Sequence, residues 1–267
     1  MNSSQQPKRL IVLVGSPRRD GNSAALAQAV MAGAAEAGTE ASLHFLDDYI
    51  SGFLTDERHA VPPADRYGEL FLEHFLPADA AVFCTPLYWY GMSAQTKAFF
   101  DRSFSYYSNA YPDAEQVHQR MSGKRIGLTV ASEETYPGGA MGIVHQIQEF
   151  SRYSHCEFVG MVQGAGNNRG EVSRDPRNPL QAARDLGREI FTRHYSDYRM
   201  IRHVAHRFGK IDSIHGARLL PLYQGCASIC SKLLPTIGPP GQTSYDADAR
   251  PARQLTRSET RCRNSGK

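Results

Sequence analysis

Cysteine is scarce in this chain, which has five among 267 residues, at positions 84, 156, 226, 230 and 262. Their odd number and wide scatter exclude a disulfide framework. Three residues separate Cys226 from Cys230, a spacing that fits neither a redox Cys-x-x-Cys pair nor a zinc site with a visible second half. We therefore expect a protein of the reducing cytoplasm in which Cys226 and Cys230 are structural or incidental.

Long hydrophobic runs and metal-binding patterns are also missing. No apolar run approaches the roughly 20 residues of a membrane-spanning helix, and the polar start, residues 1–8, resembles neither a signal peptide nor a transit peptide. The ten histidines are scattered, without a metal-ligand spacing or a partner carboxylate. The sequence predicts no membrane attachment and no metal site, while 41% apolar residues suffice to bury a full core.

Short apolar runs alternate with helical patterns along residues 9–194. Strands are predicted at 9–14, 41–46, 80–84, 125–131 and 157–163, and helices at 23–37, 64–75, 93–107, about 139–153 and 179–194. Such alternation predicts a parallel sheet with helices on both faces. The predicted fold class is therefore α/β, a three-layer sandwich around a five-stranded parallel sheet.

The segment at residues 15–23, GSPRRDGNS, joins the first predicted strand to the first helix. The unpaired N–H groups and the positive dipole end of a helix N-terminus favour an anion such as phosphate. Polar and basic side chains are available there from Ser16, Arg18, Arg19, Asn22 and Ser23. The alternative is an ordinary turn followed by an ordinary helix cap.

Other phosphate-binding loops are excluded by spacing. A P-loop has four residues between its glycines and then a lysine, but five residues separate Gly15 from Gly21, and Asn22 stands at the lysine position. The dinucleotide fingerprint Gly-x-Gly-x-x-Gly is missing as well. A phosphatase loop would need a cysteine nucleophile, and the first cysteine is Cys84.

A second segment, residues 85–92 with the sequence TPLYWYGM, follows the third predicted strand. It holds three consecutive aromatic residues, including the only tryptophan of the chain. On a loop these side chains suit stacking on a flat heteroaromatic ring, whose heteroatoms the loop backbone can hydrogen-bond. The alternative is an aromatic cluster packed beneath a helix or at a subunit interface.

Together, GSPRRDGNSAAL and TPLYWYGMSAQTKAFFDR resemble the NADPH-dependent FMN reductase family of flavodoxin-like fold, which includes quinone reductases and iron–sulfur flavoproteins. The resemblance covers about residues 8–194 and implies the strand order 2-1-3-4-5, with FMN as cofactor and NAD(P)H as co-substrate. By position it assigns the FMN phosphate to Ser16, Arg18, Asn22 and Ser23. It implies that the flavin ring is lined by Pro86, Leu87, Tyr88, Trp89, Tyr90 and Gly91.

The match to the family pattern is incomplete. Residues 47–63 contain no cysteine, whereas the iron–sulfur flavoproteins carry a compact cysteine cluster there, so no iron–sulfur cluster is expected. Lys97, Asp101 and Arg102 match family positions, and the i to i+4 spacing of the first two predicts a structural ion-pair group. Family members are commonly dimers or tetramers, which implies a homodimer or homotetramer here.

The two motif segments are expected to meet at one crevice. In the order 2-1-3-4-5 the first and third strands are neighbours where the winding reverses, and ligands bind beyond their carboxyl ends. Residues 132–139 follow the fourth strand and reach the same crevice, where Ser132, Gly138 and Gly139 are further candidates for contact with the ring or its ribityl chain. The alternative is a simple surface turn.

The charge of the chain is unevenly distributed. Residues 196–267 hold 12 Lys and Arg against 5 Asp and Glu, whereas residues 1–195 hold 18 against 22. We predict an FMN-binding domain at 1–195 and a basic C-terminal extension at 196–267, with an amphipathic helix at 198–208, a second short element at 219–234 and disorder after 235. The extension is read as solvated in preference to docking on an acidic surface, and nucleic acid is not expected as a partner.

These features predict a flavoprotein oxidoreductase. Hydride would pass from NAD(P)H through FMN to a quinone, a free flavin or another small acceptor, with no protein acid or base required for the hydride step. No catalytic residue is therefore assigned. A single-electron carrier and a flavin-binding sensor or scaffold with a partner-binding tail stay open as alternatives, as does the choice between NADH and NADPH.

Overall fold

The structure of the protein is a computed structural model that describes residues 7–56, 63–108 and 110–194. The predicted basic extension, residues 196–267, lies outside these ranges, as do its expected helix at 198–208 and its expected short element at 219–234. The division of the chain into a cofactor domain and an extension therefore stays a prediction.

A single sheet of six strands forms the centre of the described part. The strands are β1 Arg9–Val14, β2 Glu40–Phe45, β3 Ala80–Tyr88, β4 Gly91–Met92, β5 Arg125–Ser132 and β6 Glu157–Ala165. The parallel strands lie in the order β2-β1-β3-β5-β6, and the short β4 pairs antiparallel with β3. The predicted order of five parallel strands, and with it the fold class, is confirmed.

Helices cover both faces of the sheet. The described helices are α1 Asn22–Glu36, α2 Tyr67–Glu69 continued by the π-helix Leu70–Phe75, α3 Ala94–Tyr107, α4 Ala114–Met121, α5 Met141–Tyr153 and α6 Pro179–Glu189, with 3-10 turns at Leu46–Asp48, Pro137–Ala140 and Glu171–Arg174. Within these ranges, no helix combines the length and hydropathy that crossing a membrane requires.

Two helices differ from the sequence-based expectation. No helix was predicted at α4. This helix buries only Val117 and Met121, so its apolar positions are too few for a helical period to show in the sequence. α6 ends at Glu189 instead of the predicted His194. The Arg125 guanidinium donates from Nε to the Ile190 carbonyl at 2.5 Å and so takes up a carbonyl near the end of the helix.

The sheet divides the core into two parts. On one face, Phe71, Phe75, Phe83 and Phe99 pack with ring centroids 5.0–6.2 Å apart. On the other face, α1 and α6 cover the sheet and approach each other closely. A Cβ at Gly187 would lie 2.0 Å from the Val30 carbonyl oxygen, so the glycine lets the two helix backbones meet. This packing fixes α1, whose first two residues also end the segment at residues 15–23, the phosphate segment.

Strand β3 is longer than predicted, since it runs to Tyr88 instead of ending at Cys84. β1 accompanies β3 only as far as Val14, which is paired with Cys84, while β5 continues and pairs Ala131 with Pro86. At Thr85 and Pro86, between the end of the β1 pairing and the start of the β4 pairing at Leu87, β3 is paired with β5 only. A proline without an N–H is tolerated at such an edge. The first half of residues 85–92, the aromatic segment, is therefore strand. Only Trp89 and Tyr90 form the turn into β4.

Lys97 and Asp101 form the predicted ion pair on α3. Arg102 has a different partner, Asp65, to which its two terminal nitrogens donate at 2.5 and 2.8 Å. Burial raises the pKa of Asp65, but the hydrogen bonds from Arg102 and from the Ser51 N–H outweigh it and bring the pKa down to about 2. This buried pair fastens the segment after β2 to α3.

Candidate functional site

The carboxyl ends of β1, β3, β5 and β6 open into one cleft of about 270 Å³. Eight of the thirteen predicted site residues line it, namely Ser16, Arg18, Asn22, Ser23, Pro86, Leu87, Tyr88 and Ser132. Five predicted residues are not part of its lining, namely Trp89, Tyr90, Gly91, Gly138 and Gly139. The crevice predicted from the strand order exists, and the cofactor role of each residue stays a prediction.

The phosphate segment is pressed against the start of α3. The Gly15 N–H donates to the Cys84 carbonyl at 2.8 Å, and the Ser93 hydroxyl donates to the Gly15 carbonyl at 2.6 Å. A Cβ at Gly15 would lie 1.9 Å from Thr96 Oγ1, so no other residue fits without displacing α3. Ser93 is also the N-cap of α3. One serine therefore joins the phosphate segment to the helix that follows the aromatic segment.

The first turn of α1 provides unused hydrogen-bond donors. The helix follows Gly21, whose backbone is extended, and no side chain in the described ranges caps its N–H groups. Ser23 is 3% exposed and lines the cleft, and within the described residues its hydroxyl makes no hydrogen bond. Ser16 is also buried, and its Oγ accepts the Arg18 N–H at 3.3 Å. These groups form an anion cradle at a helix N-terminus.

Asn22 has a structural role in addition to its place in the cradle. Its Nδ2 donates to the carbonyls of Gly166 at 2.8 Å and Asn168 at 3.0 Å, and its Oδ1 accepts the Val172 N–H at 3.2 Å. The amide is thus committed to the loop after β6. What Asn22 retains for an anion is its main-chain N–H at the helix start.

The side chains of the two neighbouring arginines in the phosphate segment, Arg18 and Arg19, lie in different places. Arg19 turns away from the cleft, pairs with Asp47 and Asp48, and lies 3.9 Å from the centre of the Phe45 ring. The hydrogen bond to Asp48 raises the pKa of Arg19 above its usual value. Arg18 lines the cleft and forms no ion pair with another described residue. The positive charge available to a ligand from this segment is therefore that of Arg18.

The aromatic segment forms a tight hairpin at the rim of the cleft. Pro86 and Leu87 are buried along the cleft, and Tyr88 is half exposed at its edge. Trp89 and Tyr90 have φ angles of 50° and 60°, and the Trp89 side chain is 98% exposed. Such φ values at two bulky residues are unfavourable and are typical of strained functional segments.

The segment after β5 meets this hairpin from the other side. Ser132 donates from Oγ to the Glu134 carbonyl at 2.7 Å and accepts from Gln163 Nε2 at 3.0 Å, which fixes the start of the segment. A hydrogen bond to Tyr90 raises the pKa of the exposed Tyr136. Gly138 and Gly139 lie against the Tyr136 ring, where a Cβ on either would be 3.3–3.5 Å from its atoms. The glycines thus support a tyrosine pair at the rim.

A fourth wall of the cleft was missed by the sequence reasoning. It consists of residues of the loop after β6, namely Gly166, Asn167, Asn168 and Arg169. The sequence carried a signal for it, since the rule that ligands bind beyond strand carboxyl ends applies to the fifth predicted strand as well. Glu133 and Glu134 also line the cleft and were not predicted as ligand contacts.

Cysteine and metal chemistry have no visible basis in the described ranges. Burial raises the pKa of the Cys84 thiol to about 12, and that of Cys156 likewise to about 12, so neither is a thiolate at neutral pH. Residues 7–56, 63–108 and 110–194 contain no group of three or more His, Cys, Asp or Glu side chains placed to hold a metal ion.

A parallel sheet of this order, with an anion cradle after β1 and the cleft where the winding reverses, defines a flavodoxin-like protein. The model of a family described by its flavodoxin-like fold matches residues 8–188. The chain belongs to this family, and the recognition based on its two motif segments is confirmed.

Similar proteins cover the same part of the chain. YwqN of Bacillus subtilis, named as an NAD(P)H-dependent FMN-containing oxidoreductase, is 29% identical over 185 residues, which are 67% of this chain and 97% of YwqN. An iron–sulfur flavoprotein of Methanocaldococcus jannaschii is 27% identical over 194 residues, 68% of this chain and 95% of its own. The solved NAD(P)H:quinone oxidoreductase of Methanothermobacter marburgensis shares the fold, with a TM-score of 0.52 and 20% identity over 71% of this chain and all of its own.

Proposed function

We propose that the protein is a flavoprotein oxidoreductase that takes hydride from NAD(P)H, uses FMN as cofactor, and reduces a quinone, a free flavin or another small acceptor. The observation that carries the proposal is the junction of an anion cradle and an aromatic-lined strand end in one cleft. The name of YwqN, which combines FMN with NAD(P)H-dependent oxidoreduction, supports it.

The cradle fits the phosphate of FMN. Ser23 lines the cleft and offers a hydroxyl without a partner among the described residues, the first turn of α1 offers N–H groups, and Arg18 offers a positive charge. A dianionic phosphate is stabilised by such charge-assisted hydrogen bonds. A Cβ at Gly21 would lie 3.0 Å from the Arg18 Cβ, so the glycine lets the chain pass close to Arg18 just before the helix begins.

The other walls fit a flat ring. Pro86 and Leu87 give the cleft an apolar, water-excluding surface, and Tyr88 adds an aromatic face at its edge. Bound FMN supplies hydride acceptance and donation, for which no protein proton donor is required. The task of these residues is to orient the ring and to leave one side accessible to nicotinamide and acceptor in turn.

We also propose that the protein forms a homodimer or homotetramer. Large apolar side chains are exposed at the rim of the cleft, namely Trp89, Tyr90, Tyr136 and Met141. A cluster of exposed apolar side chains is typical of a surface that another molecule covers. Light scattering coupled to gel filtration distinguishes these states from a monomer.

The activity is tested by oxidation of NADPH and of NADH by FMN-loaded protein, with a water-soluble quinone as acceptor and free FMN without protein as background. We expect quinone-dependent turnover that falls when Arg18→Ala weakens FMN binding. Arg120→Ala, which changes an exposed arginine at the end of α4, is the matched control and keeps full activity. Bound FMN with no turnover by either nicotinamide would contradict the proposal.

A further inference from the structure

The loop after β6 is firmly attached to the phosphate cradle. The Glu171 carboxylate accepts the N–H groups of Asn167 at 2.9 Å and Asn168 at 2.7 Å, which holds the loop in shape. The Asn22 amide, at the start of α1, bonds the same loop through the Asn168 carbonyl. A side chain carried by this loop therefore starts from a fixed point beside the cradle.

Arg169 is that side chain. It lines the cleft, and its Nη1 donates to both carboxylate oxygens of Asp20, at 2.8 and 2.7 Å. Asp20 belongs to the phosphate segment, so the pair bridges two loops that are 149 positions apart in the sequence. The two side chains are 61% and 64% exposed, so this bridge by itself adds little stability.

The position of Asp20 is unusual for an anion site. A carboxylate in a phosphate-binding segment repels the ligand, and Glu133 and Glu134 add further negative charge to the lining of the cleft. Arg169 offsets the charge of Asp20, and Asp20 in turn restrains a flexible guanidinium beside the cradle. The pair thus presents a second arginine, besides Arg18, to whatever occupies the cleft.

We propose that Arg169 is a specificity residue, held in place by Asp20, that selects a phosphorylated flavin over the same flavin without its phosphate. The proposal rests on the flavin site proposed above and deepens it. Guanidinium groups recognise phosphate through paired N–H donors, which a neutral ribityl hydroxyl cannot match.

The test compares the binding of FMN and riboflavin to apoprotein by flavin fluorescence quenching. We expect Arg169→Ala to raise the Kd for FMN about tenfold at low salt, and less at high salt, because an exposed charge is screened. The Kd for riboflavin stays unchanged. Arg169→Lys, which keeps the charge, recovers part of the affinity for FMN. Arg174→Ala, an exposed arginine of the same region outside the cleft lining, binds both flavins as the unmodified protein does.

The double variant Asp20→Asn with Arg169→Ala separates contact with the phosphate from neutralisation of Asp20. If it binds FMN as tightly as Asp20→Asn alone, Arg169 only neutralises Asp20, which overturns the proposal. Unchanged FMN binding by Arg169→Ala removes the residue from the site. Equal losses for FMN and riboflavin show that the arginine only shapes the loop and reads no phosphate. If the unmodified protein binds neither flavin, the flavin site itself is refuted, and the inference is refuted with it.

Discussion

If the cleft binds FMN as proposed, we expect phosphate binding to depend more on Ser23 than on any other side chain, because Ser23 is 3% exposed in the cleft lining and its hydroxyl bonds no described residue. Replacing Ser23 with Ala removes one hydrogen bond to a charged group, worth about 1.5 kcal/mol, or roughly a tenfold rise in the Kd for FMN. The stability of the flavin-free protein stays the same. Flavin fluorescence titration and thermal unfolding measure the two effects.

Ser122→Ala is the matched control for this substitution. Ser122 is an exposed serine at the C-terminal end of α4. We expect its replacement by Ala to change neither the affinity for FMN nor the free energy of unfolding. If Ser23→Ala binds FMN as tightly as the control, the cradle at the start of α1 does not hold the phosphate.

Lys124 makes the stability of the fold depend on pH in the alkaline range. It is buried, its ammonium donates to the carbonyls of Phe75 and Leu76 at 3.1 and 3.2 Å and to that of Ala78, and burial lowers its pKa to about 8 from 10.5. Below pH 8 both folded and unfolded chains carry the charge. Between pH 8 and 10.5 the unfolded chain binds more protons than the folded one, so this group makes the free energy of unfolding rise with pH.

The Lys124 contribution is isolated by comparison with Lys124→Met. From pH 7.5 to 10, the free energy of unfolding of the unmodified protein rises by about 2 kcal/mol relative to the variant. Urea unfolding at both pH values gives the difference, and the tyrosines and cysteines that also titrate cancel between the two proteins. Parallel pH profiles would show that Lys124 keeps an ordinary pKa.

The turn of the β3–β4 hairpin has a backbone conformation that its two residues do not favour. Tyr88 pairs with Gly91, so Trp89 and Tyr90 are the two central residues of a tight turn, both with positive φ. Turns of this kind favour Asn-Gly, and a bulky residue in the left-handed region costs about 1–2 kcal/mol. We infer that the strain is retained because the aromatic rim serves binding.

Replacing this turn by the favoured pair tests the inference. We expect the double variant Trp89→Asn with Tyr90→Gly to have a free energy of unfolding about 1–2 kcal/mol higher than that of the unmodified protein. Its KM for the electron acceptor increases. Trp89→Ala is the control, because it removes the ring and leaves the strain. A double variant that is less stable would mean that the aromatic pair packs in a way that offsets its backbone strain.

The sequence predicted the secondary-structure elements and loops that depend on neighbouring residues. Apolar runs gave the five parallel strands, and glycines and polar residues marked the phosphate segment, because both signals come from neighbouring residues. The partner of Arg102 is Asp65, and the partner of Arg169 is Asp20, and neither pair is visible from local sequence. The extension of β3 past Pro86 depends on where β1 and β5 end, which the β3 segment itself does not encode.

The described residues include the helices on both faces of the sheet and the lining of the cleft. We therefore expect a chain truncated after residue 195 to fold and to bind FMN with the affinity of the full chain. Circular dichroism and flavin titration of the two chains check this. A truncated chain that does not fold, or that loses FMN, would move the domain boundary beyond residue 195.

In the proposed function, a nicotinamide reduces FMN that is bound in this cleft. The visible spectrum of the full chain loaded with FMN, recorded before and after anaerobic addition of NADPH or NADH, tests this step. We expect a bound-flavin spectrum that bleaches in one two-electron step and returns when a quinone is added. A bound flavin that neither NADPH nor NADH bleaches would contradict the oxidoreductase, and a chain that binds no flavin would contradict the site itself.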